Sequence, residues 1–171
     1  GARVIGVQTR DAGLAKIGEK KPNFEPGMDV KPQVTVSGEG TRGSLAKGLI
    51  AQQRLGAGAN HQSYETGIKE IWSIPSERGR EMLGQVIHTL GAPLGTGGYG
   101  GGWIYGISGD RLSIGYVVGL DHADANLDPP PLFVEWKQPP AIAALLAGGK
   151  AERYGAKTIP GGGYFSMPKL V

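Results

Sequence analysis

Glycine placement constrains this chain more than any other feature. Six of the nine residues in the run Gly95-Thr96-Gly97-Gly98-Tyr99-Gly100-Gly101-Gly102-Trp103 are glycine. Over the whole sequence glycine supplies 31 of 171 residues, and 12 prolines bring the pair to the edge of the low-complexity range. Disorder does not follow. The glycines alternate with strand-like runs such as Val4-Ile5-Gly6-Val7, Trp103-Ile104-Tyr105 and Tyr116-Val117-Val118, and 39% of residues are hydrophobic. Glycine therefore serves backbone geometry, either positive φ or close approach by a ligand or a second chain segment.

Charge and cysteine content narrow the function classes. Lysine and arginine number 18 against 15 aspartate and glutamate, a surplus of +3 that is dispersed along the sequence, so no nucleic-acid surface is expected. The absence of cysteine excludes disulfides, thiolate metal sites and a thiol nucleophile within these residues. No apolar run is long enough for a bilayer-spanning helix, which needs about 18 residues or more. The length suits one domain or a piece of a larger one. The sequence opens inside a strand pattern without methionine and closes at Leu170-Val171 as an apolar run begins, so a segment of a longer protein is expected.

The periodicity predicts a strand over 3–9, then a charged, turn-rich connection over 10–32 broken by Gly13, Gly18, Pro22, Pro26 and Gly27. A short strand is expected at Val34-Thr35-Val36, and Ser44 is the expected N-cap of a helix carrying Leu45, Leu49, Ile50 and Gln53. Four strands should follow, Ser63 to Ile74, Gly84 to Leu90, Gly98 to Ile107 and Arg111 to Leu120, the last two joined by a hairpin turn at Ser108-Gly109-Asp110. Pro129-Pro130-Pro131 stiffens the chain ahead of Leu132, Phe133 and Trp136 at helical spacing. A short helix from Ala141 to Leu146 should end at Gly148-Gly149, with strands at Arg153 to Ile159 and Tyr164 to Met167. The sum is an α+β layer: a mixed, largely antiparallel sheet with a few helices on one face.

Two segments invite a ligand. Val34 to Ser44 reads as strand, glycine-rich bend and helix, which aims amide groups at the space where an anionic phosphate could sit. A bend needing glycine for steric reasons alone is an equal reading. His88 to Trp103 would leave bare backbone amides for a flat ligand, while a close strand crossing explains the same glycines. His61, His88 and His122 lack metal-ligand spacing, and Asp121 and Asp124 suit amide capping in a polar turn. Lys69 and Glu70 should point to opposite faces of their strand, most simply as a surface pair.

At these same residues the sequence resembles the electron-transfer flavoprotein:ubiquinone oxidoreductases, or electron-transferring-flavoprotein dehydrogenases. The resemblance lies in Glu39-Gly40-Thr41-Arg42-Gly43-Ser44-Leu45, Gly67-Ile68-Lys69-Glu70-Ile71-Trp72, His88-Thr89-Leu90-Gly91-Ala92-Pro93-Leu94, Tyr99-Gly100-Gly101, Gly115 to Asp121, Gly148-Gly149-Lys150, Tyr154-Gly155-Ala156 and Pro168-Lys169-Leu170. These stretches keep the family's order with nearly gap-free spacing from about residue 34 to 171. Departures stand at Gly95, Glu65, His122 and Ala147, where aspartate, glycine, tyrosine and glutamate are common in the family, and at the triple proline.

The resemblance implies an enzyme that passes electrons from reduced electron-transfer flavoprotein through FAD and a [4Fe-4S] cluster to ubiquinone. It would act in fatty acid oxidation, at the surface of the inner mitochondrial or bacterial cytoplasmic membrane. This chain would be the quinone-binding region of an FAD-dependent, glutathione-reductase-like flavoprotein. Residues 1–45 would belong to the FAD-binding domain, 46–160 to the ubiquinone-binding domain, and 161–171 would return toward the FAD-binding domain. Gly100 and Gly101 match the glycine pair that approaches the quinone, with Tyr99 and Thr89 in the same pocket; Glu39, Gly40 and Arg42 are the flavin-side residues. Leu90, Leu94 and Trp103 would line an apolar mouth. The cluster cysteines would lie outside this chain, and the isolated segment should be inactive with little retained flavin. The alternatives are the substrate domain of a geranylgeranyl-reductase-type or aromatic-hydroxylase-type flavoenzyme, and a non-catalytic module that binds a hydrophobic ligand.

Overall fold

The computed structural model describes residues 3–95 and 97–170. The chain divides into two compact units, one ending at Leu55 and the other running from Gly56 to Lys169.

The first unit contains four short strands, β1 (Val7–Gln8), β2 (Ala12–Leu14), β3 (Lys20–Glu25) and β4 (Asp29–Val30), and helix α1 (Ser44–Gln53). β1 pairs antiparallel with β4, and β2 with β3. The expected strand over 3–9 is thus reduced to its last part, and the expected connection over 10–32 holds three strands. Two of its supposed breakers act as crossing points. A Cβ on Gly13 would collide with the Asn23 carbonyl and one on Gly27 with the Thr9 carbonyl, so glycine lets these backbones meet. Val34 and Val36 are 74% and 88% exposed and belong to no strand among the described residues. Their alternation has the period of a strand but finds no partner backbone among the described residues.

The second unit is built on a five-stranded antiparallel sheet. Its elements are β5 (Tyr64–Ser73), α2 (Ser76–Met82), β6 (Val86–His88), β7 (Gly100–Ser108), β8 (Arg111–Gly119), α3 (Pro129–Trp136), α4 (Pro140–Leu146) and β9 (Lys150–Pro160), followed by a 3-10 turn at Tyr164–Ser166. Strand order is β6-β7-β8-β5-β9. The hairpin between β7 and β8 forms as expected, with Ser108 already paired to Arg111, so the turn proper is Gly109-Asp110. Helix α2 is not legible in the sequence, since Glu77, Arg80 and Glu81 interrupt any apolar stripe. Tyr164 to Met167, expected as a strand, forms the 3-10 turn, and its Ser166 hydroxyl donates to the His61 carbonyl at 3.0 Å. The triple proline is the first turn of α3, where missing N–H groups cost nothing because those donors would be orphaned anyway.

One face of this sheet carries the core. Leu112, Ile114, Tyr116 and Val118 of β8 and Ile104 of β7 are fully buried against Phe133 and Trp136 of α3 and Ile142 and Leu146 of α4. Each fully buried side chain of this size contributes about 2 kcal/mol. Glu70 does not pair with its neighbour Lys69. It faces the helices, where the Lys137 ammonium sits 2.9 and 3.1 Å from its two oxygens, the Trp72 indole N–H donates to it at 2.7 Å, and the Phe133 ring lies 4.4 Å from Lys137 Nζ. Strand alternation predicts the opposite faces correctly, but the cation that completes the pair comes from 67 residues downstream.

Candidate quinone and flavin-side sites

In the second unit, Thr89 follows β6 and continues its pairing with β7. Its amide donates to the Gly102 carbonyl at 2.9 Å, and the Gly102 amide donates back to the Thr89 carbonyl at 3.2 Å. Four residues singled out in the sequence, Thr89, Tyr99, Gly100 and Gly101, therefore meet at one corner of the sheet. The Tyr99 side chain is 66% exposed, and its carbonyl accepts from the Gly119 amide at 2.8 Å.

The glycines at this corner are filled by the protein itself. A Cβ on Gly100 would strike the Val117 carbonyl and lie 2.9 Å from Leu94 Cδ2. One on Gly101 would strike the Thr89 carbonyl, and one on Gly102 the indole of Trp136. The close strand crossing thus accounts for these three glycines without a ligand. The Thr89 hydroxyl is arranged differently. Its Oγ1 accepts from the Trp136 indole N–H at 2.8 Å and from the Gly102 amide at 3.0 Å, and its own proton has no acceptor among the described residues.

The segment 90–95 is held from beneath. Tyr116, fully buried, accepts from the Leu94 amide and donates to the Gly91 carbonyl, both at 3.3 Å. Burial pushes its phenol above the ordinary tyrosine value, and the Leu94 bond opposes that shift. Of the three residues expected at an apolar mouth, Leu90 is 83% exposed, whereas Leu94 packs against the core. Trp103 lies on the opposite face of the sheet, where its ring covers Gly115 and occupies the volume a side chain there would need. On that face Trp103, Gly67, Ile71 and Ile159 line a groove of about 430 Å³ bordered by Lys69, Arg153 and Lys157. Sequence reasoning missed it, because its residues come from three strands; the one available signal is the alternation of glycine and lysine along β5 and β9.

Two of the departures from the family pattern, Glu65 and His122, lie beside the end of β8. Glu65 pairs in register with Gly119, and burial first, then the charge of Asp121, raise its carboxyl above the ordinary value. His122 Nδ1 is buried without a hydrogen-bond partner among the described residues. Asp124 caps the Asn126 amide at 2.9 Å, as expected for this turn.

In the first unit, the bend before α1 carries its own anion. Glu39 accepts from the Leu45 amide at 3.1 Å and the Ala46 amide at 2.5 Å, and from the Ser37 hydroxyl at 3.1 Å. Those amide bonds, Ala46 first and then Leu45, hold the carboxyl below its ordinary value. The position where a phosphate could sit is thus taken by a side chain six residues upstream of the first capped amide. Ser44, the expected N-cap, begins the helix after Gly43, which itself makes no side-chain cap. Gly43 must be glycine because the Glu39 side chain crosses it. Gly38 and Gly40 differ: no atom lies within 4 Å of a Cβ built on either, and Gly40 has φ +78°. A groove of about 620 Å³ borders the bend, lined by Gly6, Gly38, Glu39, Ser44 and Gly48 among others. Its backbone edge and the open Gly38 and Gly48 fit the approach of a flat cofactor ring, with Glu39 as a lining residue whose carboxylate is already engaged; Gly40 is not among the lining residues.

Residues 64–159 match a family model described as "ETF-QO, ubiquinone-binding". The chain is 42% identical over 168 residues to the mitochondrial electron transfer flavoprotein-ubiquinone oxidoreductase of Arabidopsis thaliana, covering 97% of this chain and 26% of that protein. It is similar to the enzymes of that name from Oryza sativa subsp. japonica, 42% identical over 98% of this chain and 29% of the relative, and Sus scrofa, 40% identical over 98% and 27%. The chain therefore spans about a quarter of the length of these relatives.

Proposed function

Because the chain belongs to the electron transfer flavoprotein-ubiquinone oxidoreductase family and contains its ubiquinone-binding domain, we propose that the corner formed by Thr89, Tyr99, Gly100 and Gly101 binds the ubiquinone ring. The observation that carries the reading is the Thr89 hydroxyl, with both acceptor positions filled and its proton undirected to any described protein group. A hydroxyl held this way offers a donor to a quinone oxygen. That oxygen gains negative charge on reduction, so a fixed donor stabilises the reduced form more than the oxidised one. Exposed Tyr99 supplies a ring for stacking, and exposed Leu90 supplies apolar surface. Gly100 and Gly101 serve by keeping the crossing thin, not by offering free amides at Gly101, whose strand pairs with Val117.

The full-length protein in this reading is an FAD-dependent flavoprotein of glutathione-reductase-like fold that takes electrons from electron-transfer flavoprotein. Residues 1–45 contribute to its FAD-binding domain, 46–160 form the quinone domain, and 161–171 lead back. FAD, when bound, supplies a two-electron carrier that can release electrons singly. Gly40 and Arg42 would approach it from the bend before α1, with Glu39 keeping that bend in shape. The [4Fe-4S] cluster finds no ligand in these residues, which contain no cysteine. By family resemblance the proposed membrane contact is peripheral, and no helix among the described residues is long and apolar enough to cross a membrane. The relatives named above are mitochondrial, which supports a mitochondrial location; the inner membrane or its bacterial counterpart, and a role in fatty acid oxidation, follow from the family resemblance alone.

The test uses the full-length protein carrying Tyr99→Ala. Loss of a stacked aromatic partner should lower turnover with a short-tailed ubiquinone about tenfold. Flavin reduction by reduced electron-transfer flavoprotein should be unchanged. Equal loss in both half-reactions would remove Tyr99 and its neighbours from the quinone site.

A further inference from the structure

We infer that Trp136 is a positioning residue for quinone reduction: its indole N–H aims the Thr89 hydroxyl. This inference rests on the quinone reading of the Thr89 corner. A hydroxyl oxygen has one proton to give and two lone pairs to fill. At Thr89 the Trp136 Nε1–H, 2.8 Å away, fills one lone pair, and the Gly102 amide, 3.0 Å away, fills the other. With the bond to Cβ, three of the four tetrahedral directions around the oxygen are used. The proton has only the fourth.

Without the indole donor the hydroxyl regains a rotameric choice, because the proton could turn toward the vacated direction. The Gly102 amide would not prevent this, since it is shared with the Thr89 carbonyl at 3.2 Å. The indole itself is placed with little freedom. Trp136 is 2% exposed, stacks on Phe133 at 5.8 Å, lies 6.1 Å from Tyr116, and fills the volume above Gly102 that a side chain would occupy. Gly102 thereby admits the ring that orients the hydroxyl. The glycine run and the tryptophan 34 residues later belong to one device.

A buried tryptophan also seeks a partner for its N–H for structural reasons alone, and the experiment must separate the two roles. In the full-length protein, Trp136→Phe and Thr89→Val are each expected to lower kcat/KM for a short-tailed ubiquinone about tenfold, the scale of one hydrogen bond. Flavin reduction by reduced electron-transfer flavoprotein should be unchanged. Thr89→Ser, which keeps the hydroxyl, should stay near wild type. The double variant should lose no more than either single one, because Trp136 acts only through Thr89. Should Trp136→Phe fail to fold, Trp136→benzothienylalanine keeps the ring volume without the N–H, and its turnover decides. Additive losses, or normal quinone turnover in a Trp136 variant where Thr89→Val is impaired, would overturn the positioning role and leave the quinone site standing. If Thr89→Val is silent while Tyr99→Ala is impaired, Thr89 is not the donor and the inference fails alone. If all are silent toward quinone, the site itself is wrong.

Discussion

Two glycine-rich stretches, the bend at Gly38–Gly43 and the run at Gly100–Gly102, read alike in sequence and are built on opposite principles. In the run, Gly100, Gly101 and Gly102 are glycine because a carbonyl or a ring from elsewhere in the fold occupies the space of their missing side chains. In the bend, Gly43 makes way for Glu39, but Gly38 and Gly40 face open space. Glycine density thus marks close approach without saying what approaches. Only the neighbouring atoms distinguish a packed crossing from a surface left clear.

Substitution should break the symmetry of the two stretches. Gly102→Ala drives a methyl into the Trp136 indole, and we expect a loss of about 3 kcal/mol in denaturant unfolding, the upper range for overpacking. A loss under 1 kcal/mol would mean the tryptophan can move aside, and the packed-crossing account would fail. Gly40→Ala meets no atom but must adopt φ +78°, so its expected cost is about 1 kcal/mol. Gly38→Ala meets no atom and has no positive φ, so stability should change by less than about 0.5 kcal/mol. That variant is the sharpest reporter of the proposed flavin side. If the bend faces FAD, full-length protein carrying it should lose flavin affinity with its melting temperature intact.

A smaller effect concerns Glu39. Glu39→Ala should speed amide hydrogen exchange at Leu45 and Ala46 while leaving the rest of the unit unaffected, because α1 buries no residue. The sign of its pH dependence follows from the lowered carboxyl. The charged form is favoured in the fold, so the contribution is full above the unfolded glutamate value and lost as pH falls through the folded one. Protection of these two amides should therefore fade on acidification in the natural protein and be independent of pH in the variant. Fading that persists in the variant would assign the effect to another group.

Much of the second unit was legible. β5, β7 and β8 alternate over nine or ten residues each, long enough for period to decide their type, and the prolines and glycines around α3 and α4 mark both helices. The short strands of the first unit were not, because two or three residues carry no period and their pairing depends on glycines that look like breakers. At the proposed quinone corner, Tyr99, Gly100 and Gly101 are recognisable as a family element, and Thr89 lies in the neighbouring one. The partner that gives Thr89 its direction is not, because Trp136 reads simply as a core aromatic on a helix.

By itself the sequence determined the α+β class, the central hairpin, the absence of thiolate chemistry within these residues, and the family. These depend on composition, period and local order, which a linear chain displays. The tertiary structure alone decided which glycines are filled and which are open, that Glu39 is the anion at α1, that Glu70 pairs with Lys137, and that Trp136 meets Thr89. Each is a contact between atoms whose sequence separation carries no signal, and proximity in space exists only once the sheet has brought them together.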